Sequence, residues 1–249
     1  MDMKGKSVMV TGGASGIGQA IVLAFAARGA NVALTHITSD PAETLAKART
    51  FGSKCIALHA DLRKEAEVES AFAKVISAQG GLDVLVANTG GLIQRSRAAE
   101  MSLALWEEVM AVNLTSTFLC CRAALRHMEP RKSGNIILIS SLAGHNGGGP
   151  GATHYGASKG AMITYTRGLA KEVGPLGIRV NGIAPGLIAT RFHDKFNTPE
   201  GRAGVVATTP LRREGTSEDV AGAAMFLASD QAAFLAGETI EVNGGVGLY

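Results

Sequence analysis

Short apolar runs and longer amphipathic segments alternate along the whole chain. The short runs are rich in Val, Ile, Leu and Ala and are bounded by Gly, Asn, Asp or Ser, as expected of buried strands. They predict strands at 6–10, 31–35, 54–59, 82–87, 134–139, 177–184 and 237–242.

The segments between these runs carry apolar residues at helical spacing. They predict helices over 19–29, 41–52, 64–75, 103–128, 155–173 and 217–230, the last of them capped by 217–219. Alternating strands and helices indicate an α/β fold, a doubly wound parallel sheet of about seven strands with helices on both faces. The length suits one domain, 1–249. In such sheets the ligand lies outside the carboxyl ends of the strands.

Composition and charge exclude several classes of function. The formal net charge is +3 and the basic residues are dispersed, so no basic stripe for nucleic acid is expected. No apolar run is long enough to span a membrane and the N-terminus leads directly into a strand, which favours a soluble cytoplasmic protein. Cys55, Cys120 and Cys121 lack metal-type spacing, so we expect reduced core thiols and no metal site.

The turn after the first strand has the composition of a phosphate-binding loop. It reads Thr11-Gly-Gly-Ala-Ser-Gly-Ile-Gly18, between a strand and a helix. Gly12, Gly16 and Gly18 permit a tight turn, a close approach of a pyrophosphate and close helix–strand packing. A structural turn between strand and helix would also explain the glycines, but the flanking elements are those that the motif requires.

The end of the second strand bears on the choice of dinucleotide. An acidic residue at position 36 would bind the adenosine ribose of NAD, but this position is His36. No Asp or Glu occurs between Asn31 and Ser39, and nearby hydroxyls suit a 2′-phosphate. This pattern favours NADP over NAD, although no Arg or Lys is close in sequence.

The next two strand ends also carry polar residues. Asp61 either meets the adenine amino group or caps the following helix. Asn88 opens a polar turn that contains Gly90, and Arg95 and Arg97 follow beside the expected crevice, where they either bind substrate or are simply solvated.

Asn113 lies in the middle of a predicted long helix, where Asn has low propensity. It is either a buried structural amide at a kink or an amide that holds a water near Lys159.

The fifth strand leads to the residues with the clearest chemistry. Ser140 and Ser141 follow it, and a Gly-rich loop then leads to Tyr155 and Lys159 on a predicted helix. The four-residue step places phenol and ammonium on one face, about a turn apart. A cation beside a phenol is expected to lower its pKa towards the working range of a proton donor.

The turn after the sixth strand, 185–190, offers main-chain groups and the Thr190 hydroxyl at the height of a nicotinamide. The segment that follows it is long enough to form a lid of loops and short helices over the substrate.

Together these motifs resemble the short-chain dehydrogenase/reductase family, in its compact single-domain branch, over essentially the whole chain. The matching pieces are TGGASGIG, Asp61-Leu62, NTG, Asn113, Ile139-Ser-Ser141, Tyr155-Gly-Ala-Ser-Lys159, PGLIAT and Glu241-Val-Asn-Gly-Gly245. Thr89 and Asn243 depart from the family's usual Ala and Asp, and the segment between Ser141 and Tyr155 is one residue longer than in many relatives.

The resemblance implies a Rossmann-type fold and hydride transfer between NAD(P) and a ketone or secondary alcohol. It implies that Ser141, rather than Ser140, acts with Tyr155, Lys159 and Asn113. The residues that it places at the dinucleotide are Gly12, Ser15, Gly16, Ile17, Gly18, His36, Asp61, Leu62, Asn88, Gly90, Tyr155, Lys159, Pro185, Gly186, Ile188 and Thr190.

The substrate is expected to be polar, because the loop after Ser141 is rich in Gly and polar groups. Arg95, His145 and Leu187 are the candidate contacts, and the pattern is similar to relatives that reduce keto sugar acids. The alternative is a 3-oxoacyl-thioester reductase, and a non-catalytic dinucleotide-binding module is a third. By analogy with the family, the expected assembly is a homotetramer.

Overall fold

Seven parallel strands form a single sheet in the computed structural model, which describes residues Met1–Tyr249. The strand order is β3-β2-β1-β4-β5-β6-β7. The strands are β1 Ser7–Val10, β2 Asn31–His36, β3 Cys55–His59, β4 Val84–Ala87, β5 Gly134–Ile139, β6 Ile178–Pro185 and β7 Thr239–Val242. The predicted fold class is confirmed, and each predicted strand boundary lies within two residues of the observed one.

Ten α-helices connect and cover the strands. They are α1 Gly16–Ala26, α2 Ala42–Thr50, α3 Glu65–Gln79, α4 Leu103–Met110, α5 Ser116–Arg131, α6 Ala143–Asn146, α7 Thr153–Val173, α8 Arg191–Phe196, α9 Pro199–Thr208 and α10 Ser217–Ala228. None of the helices is both long enough and apolar enough to cross a membrane.

Two details of the predicted helices are wrong. The expected continuous helix over 103–128 contains a π-helical turn, Ala111–Thr115, between α4 and α5. Helix α10 is capped by Thr216 rather than within 217–219, and a capping box joins Thr216 to Asp219.

The core has two layers, one on each face of the sheet. Successive residues of a strand point to opposite faces, so Val8 and Val10 pack on the layer with α1 and α10, whereas Met9 packs on the layer with α3, α5 and α7. Because both faces are covered, the strands are apolar throughout rather than alternating.

Strand β1 pairs with β2 on one side and with β4 on the other, so the direction in which the sheet grows reverses there. The loops after β1 and β4 therefore diverge and open a crevice at the carboxyl ends of the strands.

Candidate active site

A cavity of about 1530 Å³ lies at the carboxyl ends of the central strands. Most of the residues predicted from the sequence to bind cofactor or substrate line it. They are Gly12, Ser15, Gly16, Ile17, Gly18, His36, Leu62, Asn88, Gly90, Arg95, Ser141, Tyr155, Lys159, Pro185, Gly186, Leu187, Ile188 and Thr190. Asp61, Asn113 and His145 are not among the lining residues.

The glycine turn after β1 allows a ligand to approach its main chain closely. Gly12 and Gly16 have positive φ angles of 63° and 53°. A Cβ on Gly18 would lie 2.2 Å from the Gly12 main-chain oxygen, so no side chain fits there. Ser15 begins α1 without a side-chain cap bond, and the first N–H groups of a helix have no partner within it. This turn fits a dinucleotide pyrophosphate.

Several side-chain hydroxyl groups lie near the end of β2. The Gly12 N–H donates to Thr35 Oγ1 at 3.1 Å, which ties β2 to the glycine turn. Ser15 Oγ and Ser39 Oγ lie 3.4 Å apart in the cavity wall. His36 packs edge-on against His59, with ring centroids 5.6 Å apart.

The Asp61 carboxylate is engaged by a neighbour rather than exposed to the cavity. Arg63 donates to it through Nε and Nη2, both at 2.9 Å, and through its main-chain N–H at 3.1 Å. The Arg63 hydrogen bond lowers the pKa of Asp61 although burial acts in the opposite direction. Asp61 does not cap α3, because the N-cap residue is Lys64 and no side chain caps that helix. The adenine contact of Asp61 stays a prediction.

The polar turn after β4 is tied to the end of β1. The N–H groups of Asn88 and Thr89 both donate to Thr11 Oγ1 at 2.9 Å, and Asn88 Nδ2 donates to the Thr11 oxygen at 3.0 Å. These hydrogen bonds therefore fix the two loops that border the crevice relative to one another at its floor.

Asn113 is fully buried in the π-helical turn and braces this loop. Its Oδ1 accepts from the Gly91 N–H and its Nδ2 donates to the Gly91 oxygen, both at 2.9 Å. A Cβ on Gly90 would lie 2.5 Å from Asn113 Oδ1 and 3.0 Å from Lys159 Nζ. The Asn113 amide and the Lys159 ammonium therefore lie on either side of Gly90. Asn113 is a buried structural amide, one of the two alternatives that the sequence left open.

The two serines after β5 have different surroundings. Ser140 is buried, and its hydroxyl donates to the Lys159 main-chain oxygen at 2.8 Å. Ser141 is partly exposed in the cavity, accepts from the Ala143 N–H at 3.1 Å and lies close enough to Tyr155 to lower the pKa of its phenol. This difference supports the choice of Ser141 over Ser140.

Tyr155 and Lys159 lie one turn apart on α7, as predicted, with Lys159 Nζ 5.9 Å from the Tyr155 ring centroid. Lys159 is 3% exposed, and its Nζ donates to the Ile139 oxygen at 2.7 Å. Burial lowers the pKa of Lys159 to about 7. An ammonium with so low a pKa gives up its proton easily near neutral pH.

The pKa of Tyr155 shifts in the direction opposite to the one expected from the sequence. Burial raises it above 10.0, and the Ser141 hydrogen bond only partly opposes this. The expectation relied on the charge of Lys159, but its Nζ is bound to a strand carbonyl and holds its own proton weakly. Tyr155 is therefore a protonated donor at neutral pH.

The turn after β6 closes the far wall of the cavity. The Gly186 N–H donates to the Val242 oxygen at 3.0 Å, and a Cβ on Gly186 would lie 2.8 Å from Asn243 Cβ. Thr190 packs over the glycine turn, where its Cγ2 lies 3.7 Å from the position of a Cβ on Gly16.

Helices α8 and α9 form the segment, called the lid, in which the sequence predicted loops and short helices over the substrate. Phe192 packs on Tyr155 with ring centroids 5.8 Å apart. Arg202 of α9 pairs with Glu214 at 2.7 Å through Nε and also with Asp194 of α8, so it holds the two lid helices together.

Arg95 lies in the cavity wall beside the lid and bridges two sides of the cavity. Nε donates to the Phe196 oxygen of the lid at 3.1 Å, and Nη1 donates to the Pro150 oxygen at 2.8 Å. No carboxylate lies within 4.0 Å of its guanidinium. Arg97, in contrast, pairs with Glu100 at 3.5 Å and does not line the cavity.

His145 lies away from the cavity and is engaged by the C-terminal segment. Its Nε2 is 2.8 Å from Glu241 Oε1, and its ring stacks on Tyr249 with centroids 4.4 Å apart. Its expected contact with substrate therefore has no support in the structure. These partners come from β7 and beyond, about a hundred residues away, so nothing in the local sequence indicated them.

Several cavity residues were not predicted from the sequence, among them Asp40, Glu43 and Arg202. Asp40 and Glu43 lie just beyond 31–39, the stretch that lacks acids. Arg191, Phe192 and His193, which follow the 185–190 turn and are part of the pattern similar to reductases of keto sugar acids, also line the cavity.

Comparison with known proteins places this arrangement in a family. The family model described as enoyl-(acyl carrier protein) reductase matches residues 12–247. The chain is 36% identical over 250 residues to the 3-oxoacyl-[acyl-carrier-protein] reductase FabG of Escherichia coli, with 99% of each protein covered.

Two solved structures are similar over nearly their whole length. One is a 7 alpha-hydroxysteroid dehydrogenase complexed with NADH and 7-oxo glycochenodeoxycholic acid, with a TM-score of 0.94, 33% identity and 98% and 95% of the two chains covered. The other is the NADH-dependent reductase A1-R′ responsible for alginate metabolism, with a TM-score of 0.90, 31% identity and 99% of each chain covered.

Proposed function

The chain belongs to the short-chain dehydrogenase/reductase family and is an oxidoreductase that acts on CH–OH and carbonyl groups; from this premise we propose that it reduces the ketone of a polar substrate that carries a carboxylate. The observation that carries the proposal is Arg95, a guanidinium in the cavity wall with no carboxylate partner in the protein.

The cavity would hold a dinucleotide between the glycine turn and the 185–190 turn. The main-chain N–H groups of Gly16, Ile17 and Gly18 would bind its pyrophosphate, and Pro185, Gly186, Ile188 and Thr190 would border its nicotinamide end. When bound, the reduced nicotinamide supplies the hydride.

Ser141 and Tyr155 hold the substrate oxygen by hydrogen bonds. Negative charge develops on this oxygen as the carbonyl carbon is reduced, and Tyr155 delivers its phenolic proton there. The raised pKa of Tyr155 keeps that proton available at neutral pH. In the reverse direction the phenolate is the base.

Lys159 is the next group behind Tyr155. Its pKa of about 7 allows it to return a proton near neutral pH. Asn113 holds the Gly91 backbone, beside Gly90, and its Oδ1 and the ammonium both border the position of a Cβ on Gly90. We assign Asn113 the role of positioning residue beside a proton path through water.

The Arg95 guanidinium retains donors for a substrate anion. Five N–H groups are available, and the two bonds to Phe196 and Pro150 use one from Nε and one from Nη1. Nη2 is free of protein partners and can donate to a carboxylate. Asn146 and the Gly148–Gly149 backbone add polar groups to the same wall.

The preferred dinucleotide is NADP. The hydroxyls of Ser15 and Ser39, together with His36, support this choice, because they replace the acid that would bind the ribose of NAD. Two exposed acids, Asp40 and Glu43, line the same end, and each is engaged locally, by the Ala42 N–H and by Lys47.

A second candidate is a 3-oxoacyl-thioester reductase. It is favoured by the 36% identity to FabG and by the description of the matching family model. A non-catalytic dinucleotide-binding module is disfavoured, because the phenol, the ammonium and the serine hydroxyl are all present at one site.

We also propose a cytoplasmic homotetramer. The apolar side chains of Leu103 and Phe118 on α4 and α5 are 70% and 43% exposed, which suits burial against a second copy. Light scattering of the purified protein measures the assembly.

The test compares an α-keto sugar acid with an acetoacetyl thioester, using NADPH and NADH for each. We expect turnover of the keto acid with NADPH. Arg95→Met should raise KM for the keto acid by about tenfold to a hundredfold and leave neutral ketones unaffected. Arg97→Met is the matched control, since Arg97 lies outside the cavity. Turnover of the thioester alone would favour the second candidate.

A further inference from the structure

One hydrogen bond joins the chain beside Arg95 directly to helix α7. The His154 ring nitrogen Nε2 lies 3.0 Å from the Gln94 main-chain oxygen. His154 is the second residue of α7 and directly precedes Tyr155, and Gln94 directly precedes Arg95. The bond therefore connects the neighbour of the proposed proton donor with the neighbour of the proposed substrate-binding cation.

The His154 ring is fully buried. A carbonyl oxygen only accepts, so Nε2 carries the ring proton and Nδ1 is the bare nitrogen. Nδ1 is buried as well and has no hydrogen-bond partner in the protein. An apolar side chain would fill this position without the cost of burying a bare ring nitrogen. The bond to Gln94 is therefore what a histidine contributes here and a phenylalanine or a leucine would not.

The segment that this bond holds contains a strained turn. The Gln94 N–H donates to the Leu92 oxygen at 2.8 Å, and Ile93 between them has a φ angle of 64°. This is the rare form of the γ-turn, and a positive φ is unfavourable for a β-branched side chain. Such a conformation persists only where the surrounding contacts determine it.

Contacts on both sides fix this turn. Before it, both main-chain groups of Gly91 are bonded to the Asn113 side chain at 2.9 Å. After it, the Gln94 oxygen is bonded to His154. Loss of the His154 bond would free the turn on the side of Arg95, whereas the side of Gly91 would stay held.

Helix α7 has its own attachment to the sheet. Lys159 Nζ donates to the Ile139 oxygen at 2.7 Å, and the Ser140 hydroxyl donates to the Lys159 oxygen at 2.8 Å. These bonds join α7 to the end of β5 one turn beyond Tyr155. Loss of the bond to Gln94 should therefore move the segment 91–96 rather than the phenol.

We propose that His154 is a positioning residue, which holds the Gln94 carbonyl on α7 so that the Arg95 guanidinium has a fixed place in the cavity wall relative to Tyr155. The inference rests on the proposed binding of a substrate carboxylate by Arg95. The position of the segment 91–96 does not depend on the substrate, so it is measured separately.

The kinetic test compares an α-keto sugar acid with its neutral amide. His154→Phe removes the donor, so KM for the keto acid should rise by about tenfold, while kcat should stay within about threefold and KM for the amide within about twofold. His154→Gln should bring KM for the keto acid back to within about threefold of the wild type, because its side-chain amide can donate to the same carbonyl.

His127→Phe is the matched control. His127 Nε2 accepts from the Leu82 N–H at 3.2 Å, just before β4, and His127 does not line the cavity. This variant loses a histidine bond to the main chain, as His154→Phe does, and should keep the kinetic constants of the wild type.

Hydrogen exchange measures the position of the segment directly. The Ser96 N–H donates to the Gly151 oxygen at 3.0 Å and is protected while the segment 91–96 stays in place. Exchange in peptides that cover 92–97 should be at least about tenfold faster in His154→Phe and close to the wild-type rate in His154→Gln and His127→Phe.

The outcomes separate this inference from the proposed carboxylate binding. Unchanged exchange in His154→Phe would overturn the inference, as would equal losses with both substrates or a failure of His154→Gln to restore KM. If His154→Gln restores exchange but the wild type does not distinguish the keto acid from its amide, positioning by His154 stands and carboxylate binding fails. Circular dichroism verifies folding, and His154→Leu takes the place of His154→Phe if the larger ring prevents it.

Discussion

The Lys159 side chain donates a 2.7 Å hydrogen bond to the main-chain oxygen of Ile139, the last residue of β5. The Ser140 hydroxyl donates in the opposite direction, to the Lys159 oxygen, at 2.8 Å. Two buried bonds therefore join the end of the strand that carries Ser141 to the helical turn that carries Tyr155. The spacing of the proposed proton donor and its serine partner is set by this pair of contacts.

The buried ammonium makes stability depend on pH. The pKa of Lys159 is lowered from 10.5 to about 7, so the unfolded chain binds a proton more readily than the folded one between these values. Stability should therefore rise with pH across that window, and the cost of burial should be largest below pH 7. A tenfold change in proton affinity corresponds to about 1.4 kcal/mol, so the full effect is a few kcal/mol.

Urea unfolding of the wild type and of Lys159→Met at several pH values between 6 and about 10 measures this effect. The variant should be relatively most stable at pH 6 and should lose that advantage as the pH rises. Lys171→Met, an exposed lysine of the same helix, is the control and should show no such trend. Parallel curves for Lys159→Met and the wild type would contradict the buried, weakly basic ammonium.

The phenol should control the pH dependence of the reaction. Because the pKa of Tyr155 is raised above 10.0, little phenolate exists at neutral pH, and alcohol oxidation should accelerate from pH 7 to about 10 without a plateau. Tyr155→Phe should lower kcat by about 100-fold to 10,000-fold in either direction. Steady-state rates in both directions measure this.

Tyr165→Phe is the matched control for this prediction. Tyr165 lies on the same helix but packs in the core layer away from the cavity. Its substitution should leave kcat within about twofold, and cofactor binding by Tyr155→Phe should be close to that of the wild type. Ordinary turnover by Tyr155→Phe would remove Tyr155 from the proposed proton transfer.

The sequence predicted those features that depend on local pattern. The strands, the glycine turn and the step from Tyr155 to Lys159 all follow from periodicity and short spacing. What it did not predict depends on contacts between distant segments. The partners of His145 are contributed by β7 and the C-terminus, and Phe192 of the lid packs on Tyr155.

The direction of the Tyr155 pKa shift also could not be predicted from local sequence pattern. Spacing alone places an ammonium near the phenol, but it does not show how deeply both groups are buried or that Lys159 is bound to Ile139. Burial proved to be the largest cause for both residues. Its extent follows from the packing of α7 on the sheet, which no local pattern contains.

Asn243, where the family usually has Asp, donates hydrogen bonds that an Asp at this position could not, one of them to the Glu241 carboxylate. Its Nδ2 donates to Glu241 Oε2 at 3.0 Å and to the Gly247 oxygen at 2.8 Å. Asn243→Asp would remove both donors and place two carboxylates together, which should cost about 1–3 kcal/mol at neutral pH.

The effect should grow with pH, because burial already raises the pKa of Glu241 and a second carboxylate would raise it further. The group holds its proton more strongly in the folded state, so its contribution is lost as the pH rises through the raised value. Thermal unfolding at pH 5 and pH 8 measures the difference. Asn146→Asp, at an exposed position, is the control, and an equal shift at both pH values would contradict the carboxylate pair.

Gly18 and Gly168 provide a matched pair that tests the close packing of the glycine turn. Both are helical, but a Cβ on Gly18 would meet the Gly12 oxygen at 2.2 Å and Asn88 Nδ2 at 2.7 Å, whereas a Cβ on Gly168 meets nothing within 4 Å. Gly168→Ala should stabilise the protein by about 1 kcal/mol, the difference in helix propensity. Gly18→Ala should destabilise it by about 1–3 kcal/mol, since overpacking outweighs that gain.

The two variants should also differ in cofactor binding. Gly18→Ala must displace the Gly12 backbone or the Asn88 amide, and both border the site of the pyrophosphate, so dinucleotide affinity should fall by at least about tenfold. Gly168→Ala should bind like the wild type because it lies on α7 outside the cavity. Urea unfolding and calorimetric titration with NADP⁺ measure the two effects. If Gly18→Ala matched Gly168→Ala in both, the glycine turn would have room for a side chain, and the close approach of backbone to phosphate would lose its structural basis.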